Sequence, residues 1–311
     1  MTLSISIAAI VLILYVLTGF IIFHIACYRG KELDWHDPEA VSKSAYKPYV
    51  NIIPMAERWL QEHNAQDVFV QSHDDLKLHG WWIPAEDAKG TMIMFHGYRS
   101  TYLVDFAAVY ELYYSHGFNI LLADQRSHGR SEGKYITFGV KECRDVAAWV
   151  DHHNRTYGPD TVFLCGLSMG ASTVLYAAGN PLPDNVRGIT ADCGFTSPYD
   201  IIRHVAAKRI GRPLASVMMP AVNFWARQLA LFDLRECSTD KTLAKTPVPI
   251  LMCHGLADDF VPSHMSQTGY DACCGEKELI LVDGAEHGTS FLRDRERVEK
   301  ALLDFFYRNS P

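Results

Sequence analysis

Val162-Phe163-Leu164-Cys165-Gly166-Leu167-Ser168-Met169-Gly170-Ala171 is the stretch on which the reading of this chain turns. Its opening residues form a continuous apolar run, as expected of a strand whose two faces are both covered. The residues from Met169 to Ala178 have the composition of a helix. Between the two, Gly166-Leu167-Ser168-Met169-Gly170 fits the pattern G-x-S-x-G. Such a pentapeptide recurs by chance, but at a strand-to-helix turn it is specific. A sharp turn of this kind strains the serine backbone and needs neighbours without bulk, which the two glycines supply. It also aims the Met169 N–H from the positive end of the helix at the place where an oxyanion would develop. Ser168 is therefore the candidate nucleophile, and the Met169 N–H a candidate oxyanion donor.

A serine hydroxyl needs a base, and the base needs an acid to orient it. For this strand–turn–helix arrangement the expected chain order is serine, acid, histidine. Downstream, Cys253-His254-Gly255-Leu256-Ala257-Asp258 follows a late apolar run, and Val282-Asp283-Gly284-Ala285-Glu286-His287-Gly288 follows the last one. Asp258 falls just past a strand end, where open α/β sheets place their ligands, and is the candidate acid. His287, beside glycine, is the candidate base. Asp259 and Asp192 are the alternative acids, and His254 is the alternative base. Asp283 reads as a turn residue and His264 as a surface helix start. The second oxyanion donor should follow the strand at 90–97, in His96-Gly97-Tyr98-Arg99. The Tyr98 backbone N–H is assigned to that role, with its side chain a candidate pocket wall and His96 a structural residue.

Working outward, strands and helices alternate. Strands are expected at 67–72, 78–84, 90–97, 118–123, 161–167, 186–193, 249–253 and 279–282, and helices at 102–116, 140–157, 169–178 and 294–307. This rhythm predicts an α/β fold with a mostly parallel sheet and helices on both faces. Residues 197–246 break it. They are helical and apolar, with Met218, Met219, Phe224 and Trp225, and read as a helical cap inserted above the sheet.

No charged side chain occurs before Arg29. Residues 5–23 are almost wholly apolar and would span roughly 29 Å as a helix, close to the ~30 Å hydrocarbon core. A cleaved signal peptide would carry a basic n-region and a small-x-small site, both missing here. The expected organisation is a membrane anchor at 1–28, a linker with helical pieces at 29–64 and a catalytic domain at 65–311. Arg29 and Lys31 follow the span, which favours a cytoplasmic domain. Eight cysteines without a C-x-x-C pair fit reduced thiols. A net charge of -7 without a Lys/Arg cluster argues against nucleic acid. Oligomeric state leaves no signal in the sequence.

His96-Gly97, the loop Asp124-Gln125-Arg126-Ser127-His128-Gly129-Arg130-Ser131-Glu132-Gly133, the G-x-S-x-G turn, His254-Gly255-Leu256-Ala257-Asp258 and Glu286-His287-Gly288 together resemble the α/β-hydrolase superfamily. The nearest likeness is to anchored bacterial hydrolases and their ABHD-type and BEM46-like relatives. The resemblance covers nearly everything after the anchor and implies an eight-stranded sheet, a cap after the sixth strand and hydrolysis without cofactor or metal. Ser127 departs from the pattern, since such loops often carry glycine there. Asp124 and Arg126 are expected to brace that loop. The expected activity is cleavage of a small-molecule carboxylic ester with an apolar acyl or aryl part through an acyl-enzyme. Lipase, lysophospholipase or thioesterase activity is the alternative, with a peptidase or a non-catalytic scaffold ranked below.

Overall fold

The computed structural model describes residues 2–30, 35, 37, 39, 47–49 and 51–310. Eight strands form one sheet: β1 (Gln66–Gln71), β2 (Lys77–Ile83), β3 (Gly90–Phe95), β4 (Phe118–Ala123), β5 (Val162–Leu167), β6 (Val186–Asp192), β7 (Ile250–Gly255) and β8 (Lys277–Val282). Their order is β1-β2-β4-β3-β5-β6-β7-β8. The β1–β2 and β2–β4 pairs are antiparallel, and all others are parallel. Every residue of β3, β4, β5 and β7 is buried, which is why these strands read as near-continuous apolar runs, broken only by Thr91, Asn119 and His254. Edge strand β1 alternates instead.

The two faces of the sheet carry separate cores. On one, Ile93, Leu121 and Leu164 pack with Val146, Trp149 and Val174 from helices α5 (Glu142–Thr156) and α6 (Met169–Ala177). On the other, Met92, Ile120 and Phe163 pack with Tyr113 of α4 (Tyr110–Ser115) and Phe305 and Phe306 of α12 (Arg295–Asn309). After β3 the chain steps to β4 on one side, then returns past β3 to β5 on the other. The crevice above such a reversal, at the carboxyl ends of β3 and β5, is where open α/β sheets hold ligands.

The helix expected over 102–116 is broken into α3 (Tyr102–Asp105) and α4. Asp105 is drawn inward by Gly97 and Ser100, and Phe106 and Val109 both turn into the core. Val104 and Phe106 are both buried, in separate clusters, although two positions apart they would point about 160° from each other on one straight helix. The helix expected from 140 begins at Glu142, whose carboxylate accepts the Thr137 and Gly139 N–H groups and closes the turn before it.

Helix α2 (Ile52–Glu62) precedes β1, and residues 31–34, 36, 38, 40–46 and 50 of the expected linker lie outside the described residues. Between β6 and β7 come α7 (Pro198–Ile210), α8 (Arg212–Trp225), a π-helical turn (Ala226–Ala230) and α9 (Thr239–Leu243). The remaining elements are α10 (His264–Ala272) and α11 (Ser290–Arg293). At the other end of the chain, α1 (Thr2–Cys27) is one continuous helix. Its Ser6–Cys27 stretch of 22 residues is long and apolar enough to cross a membrane. All eight cysteines are free thiols, six of them buried.

Candidate active site

Ser168 sits at the turn between β5 and α6 with φ 55° and ψ −115°, a conformation that costs a non-glycine residue on the order of 1–3 kcal/mol. The glycines beside it are obligatory. A Cβ on Gly170 would lie 1.7 Å from the Phe95 carbonyl oxygen, and one on Gly166 would lie 2.3 Å from that of Gly170. The Ser168 N–H is held by the Asp192 carbonyl at 2.8 Å, which pins the strained residue to β6.

Ser168 Oγ lies 2.8 Å from His287 Nε2, and His287 Nδ1 lies 2.7 Å from Asp258 Oδ2. An imidazole that donates from Nδ1 to a carboxylate leaves Nε2 free to accept the serine proton. Asp258 Oδ1 accepts the backbone N–H groups of Phe260 and Val261, each at 2.9 Å. Burial would raise the Asp258 carboxyl. The bonds from His254 and His287, the charge of His287 and the Val261 N–H outweigh it and hold this group well below the usual carboxylate range.

The structure also shows where the alternatives stand. Asp259 is exposed and pairs with Lys208 at 3.5 Å. Asp192 accepts the Ser290 hydroxyl at 2.8 Å, and burial pushes its carboxyl up. His254 does not face Ser168. Its Nε2 donates to the Val261 carbonyl at 2.8 Å and lies 3.3 Å from Asp258, while Nδ1 meets the Ser266 hydroxyl at 2.7 Å. Asp283 is exposed after β8, and His264 is exposed at the start of α10.

The loop after β3 lies against the serine: a Cβ on Gly97 would be 3.2 Å from the Ser168 Cβ. His96 Nδ1 donates to the Gly97 carbonyl at 2.8 Å, and its Nε2 accepts the Gln125 N–H at 3.1 Å. The Gly97 N–H reaches Asp105 Oδ2 at 2.5 Å, the Ser100 hydroxyl reaches Oδ1 at 2.7 Å, and the Arg99 N–H reaches His128 Nε2 at 3.0 Å. Gly97 and Arg99, on either side of Tyr98, are thus fastened. Met169, as first residue of α6, has an N–H with no partner inside the helix. The Tyr98 side chain was the candidate pocket wall. Its ring instead stacks on Phe138 at 5.1 Å, and its hydroxyl donates to the Ala26 carbonyl of α1 at 2.8 Å.

Asp124 is buried, accepting from His79 at 2.7 Å and from the Arg130 N–H at 3.1 Å. Arg126 is held by Asp145 and Asp74 through four bonds of 2.6 to 2.9 Å. Ser127, at the position where glycine is usual, takes φ 64° and donates from its hydroxyl to the Tyr135 carbonyl at 2.9 Å. A local hydrogen bond therefore supports the left-handed backbone that glycine would adopt freely.

Sequence reasoning missed four residues here: Asp105, Gln125, His128 and Cys193. Asp105 was hidden inside an expected amphipathic helix, whereas Gln125 and His128 were quoted only as part of a loop. The Cys193 Sγ, Asp258 and His287 ligand atoms lie within 4.8 Å of one another. Burial pushes the Cys193 thiol well up, so it stays protonated. A metal could in principle be held there or by His73, Asp74 and Asp145. In both groups the oxygens are already engaged, by His287 in the first and by the Arg126 guanidinium in the second.

The strand order, the turn at Ser168 and the helical insertion between β6 and β7 are those of an α/β hydrolase. The chain has the α/β-hydrolase fold. Residues 86–231 match the family model described as serine aminopeptidase, S33. Among curated proteins it is similar to the uncharacterized YqkD of Bacillus subtilis, 27% identical over 73% of this chain and 74% of that one. It is also similar to the uncharacterized YfhR of Escherichia coli, 26% identical over 78% and 80%. Among solved structures, the Pyrococcus furiosus esterase Pf2001 superposes with TM-score 0.66 at 23% identity, covering 81% of this chain and 94% of that one. The esterase EaEST of Exiguobacterium antarcticum gives TM-score 0.58 at 18% identity, covering 77% and 99%.

Proposed function

We propose that the protein is a serine esterase that cleaves carboxylic esters through an acyl-enzyme and is held at a membrane by α1. The observation that carries this reading is the unbroken relay from Ser168 Oγ to His287 at 2.8 Å and from His287 to Asp258 at 2.7 Å. His287 takes the Ser168 proton as Oγ attacks the substrate carbonyl, and the Met169 and Tyr98 N–H groups receive the oxyanion. His287 then hands the proton to the departing alkoxide, leaving an acyl group on Ser168. Water, deprotonated by the same His287, attacks the acyl group and releases the acid. Asp258 orients the ring and offsets the charge it gains.

The apolar cap and the apolar helix favour a substrate with an apolar acyl or aryl part. The name of the matched family model favours a second reading, removal of an amino-terminal residue from a peptide. One set of assays separates them: p-nitrophenyl esters of increasing chain length against aminoacyl p-nitroanilides, with the full chain in detergent micelles. Turnover of esters, with labelling of Ser168 by a fluorophosphonate, is expected. Turnover confined to the anilides would overturn the ester reading, and absence of both turnover and labelling would overturn the hydrolytic mechanism.

A further inference from the structure

The apolar helix α1 does not stand away from the body on a tether. From Tyr15 onward it lies along α8. The Tyr15 hydroxyl donates to the Val217 carbonyl at 3.0 Å, and Trp225 Nε1 donates to the Val16 carbonyl at 2.9 Å. Gly19 sits directly on Ala221, where a Cβ would be only 2.5 Å from the Ala221 Cβ. Small residues at a close crossing and polar groups bonded between helices are the packing style of helices in lipid, where apolar contact gives no driving force of its own. Phe20 meets Trp225 edge-on at 5.2 Å, and Phe23 and Cys27 are wholly buried.

Helix α8 itself is unusual for a surface helix. Residues 213–226 carry no charge, and Arg212 and Arg227 bracket them. Pro213, Val217, Pro220 and Phe224 follow 4-3-4 spacing, so they share one face, and all four are exposed. Val217 is 60% exposed and Phe224 49%, with Leu214 beside them at 51%. The one amide in this run, Asn223, turns to the body, bonding Asp233 at 3.1 Å and the Leu234 N–H at 2.8 Å.

We propose that this outward face of α8 lies in the hydrocarbon of the bilayer, alongside α1, so that its partner is lipid and the cap is part of the membrane-embedded surface. The proposal rests on anchoring by α1. About 20 helical residues are needed to cross a ~30 Å core. The apolar stretch Ser6–Cys27 has 22, and packing on α8 begins at Tyr15, its tenth residue. Burying that stretch in lipid therefore carries Tyr15 to Gly19 below the surface, and Val217 and Ala221 go with them. The exposed apolar residues of α8 continue those of α1, among them Leu14, Leu17 and Ile21.

The test uses the full chain in phosphatidylcholine vesicles, with Cys237→Ser and Cys274→Ser removing the reachable thiols. A nitroxide is placed singly by Leu12→Cys on α1, Val217→Cys and Phe224→Cys on α8, and Glu296→Cys on α12 as the aqueous reference. Collision with lipid-soluble oxygen is compared with collision with a water-soluble nickel chelate. Labels at 217 and 224 are expected to behave as the label at 12 does, oxygen-dominated and shielded from nickel. If 12 is shielded while 217 and 224 match 296, the proposal is overturned and anchoring by α1 stands. If 12 also matches 296, anchoring fails and the proposal fails with it.

Discussion

The Tyr98 hydroxyl donates to the backbone carbonyl of Ala26 at 2.8 Å, tying the loop beside Ser168 to the end of the apolar helix. Arg99 adds bonds from the same loop to the carbonyls of Ile25 and Tyr28, at 2.9 and 3.0 Å. Helix α1 is thus a structural part of the folded body. Tyr98→Phe should cost about 0.5–1.5 kcal/mol of stability and leave kcat within a few-fold, since the proposed oxyanion donor is backbone. Phe23→Ala, opening a hole where the side chain is fully buried, should cost about 3–5 kcal/mol. Thermal unfolding of the full chain in micelles, beside ester turnover, checks both.

Ser168→Ala should lower kcat by on the order of 10⁶ and abolish fluorophosphonate labelling without altering the melting temperature by more than a degree or two. Pre-steady-state kinetics with a p-nitrophenyl ester in excess over enzyme should show the acyl-enzyme burst in wild type alone.

Asp258→Asn should lower kcat by about 10⁴, because an amide cannot hold the ring in the same tautomer. It should also change the acid limb of stability. The folded carboxyl lies below its unfolded value, so its contribution is present above about pH 3.9 and is lost as pH falls toward the folded pKa. Urea midpoints measured from pH 6 down to pH 3 should fall more steeply for wild type than for Asp258→Asn.

Asp105 acts as a positioning residue for the Gly97–Ser100 loop. Asp105→Ala should lower kcat by about 10–100-fold with KM little changed, as a displaced donor would. Asp105→Asn keeps an acceptor for the Gly97 N–H and should restore most of the rate. Burial raises the folded Asp105 carboxyl, so its contribution is present below the unfolded pKa and lost as pH rises through the folded one. Asp105→Asn should therefore gain stability relative to wild type between pH 4.5 and pH 7.5 in urea titrations.

Much of the sheet was legible because its strands are buried on both faces, so that each appears as a local run of apolar residues. The turn at Ser168 was legible for a similar reason: strand, strained residue, glycines and helix are contiguous. Asp258 and His287 could be placed by chain order and by their positions after strands. The break between Asp105 and Tyr110 was not legible, since residues 102–116 have helical composition throughout and the break comes with what Val104, Asp105 and Phe106 meet in the folded chain. The second partner of Asp258, His254, was visible only as a strand-end histidine. Its distance to the carboxylate depends on how the chain turns after β7.

By itself the sequence determined the class of fold, the strained serine turn and an apolar helix near the start of the chain. These are encoded in neighbouring residues, through periodicity, glycine placement and burial. Only the tertiary structure decided that Gly19 rests on Ala221, that Trp225 bonds Val16 and that Tyr98 bonds Ala26. Those contacts join residues about 70 to 210 positions apart. No local propensity specifies such a pair: it forms because the folded sheet brings the cap and the β3 loop to one side, and α1 finds there the apolar surface it can cover.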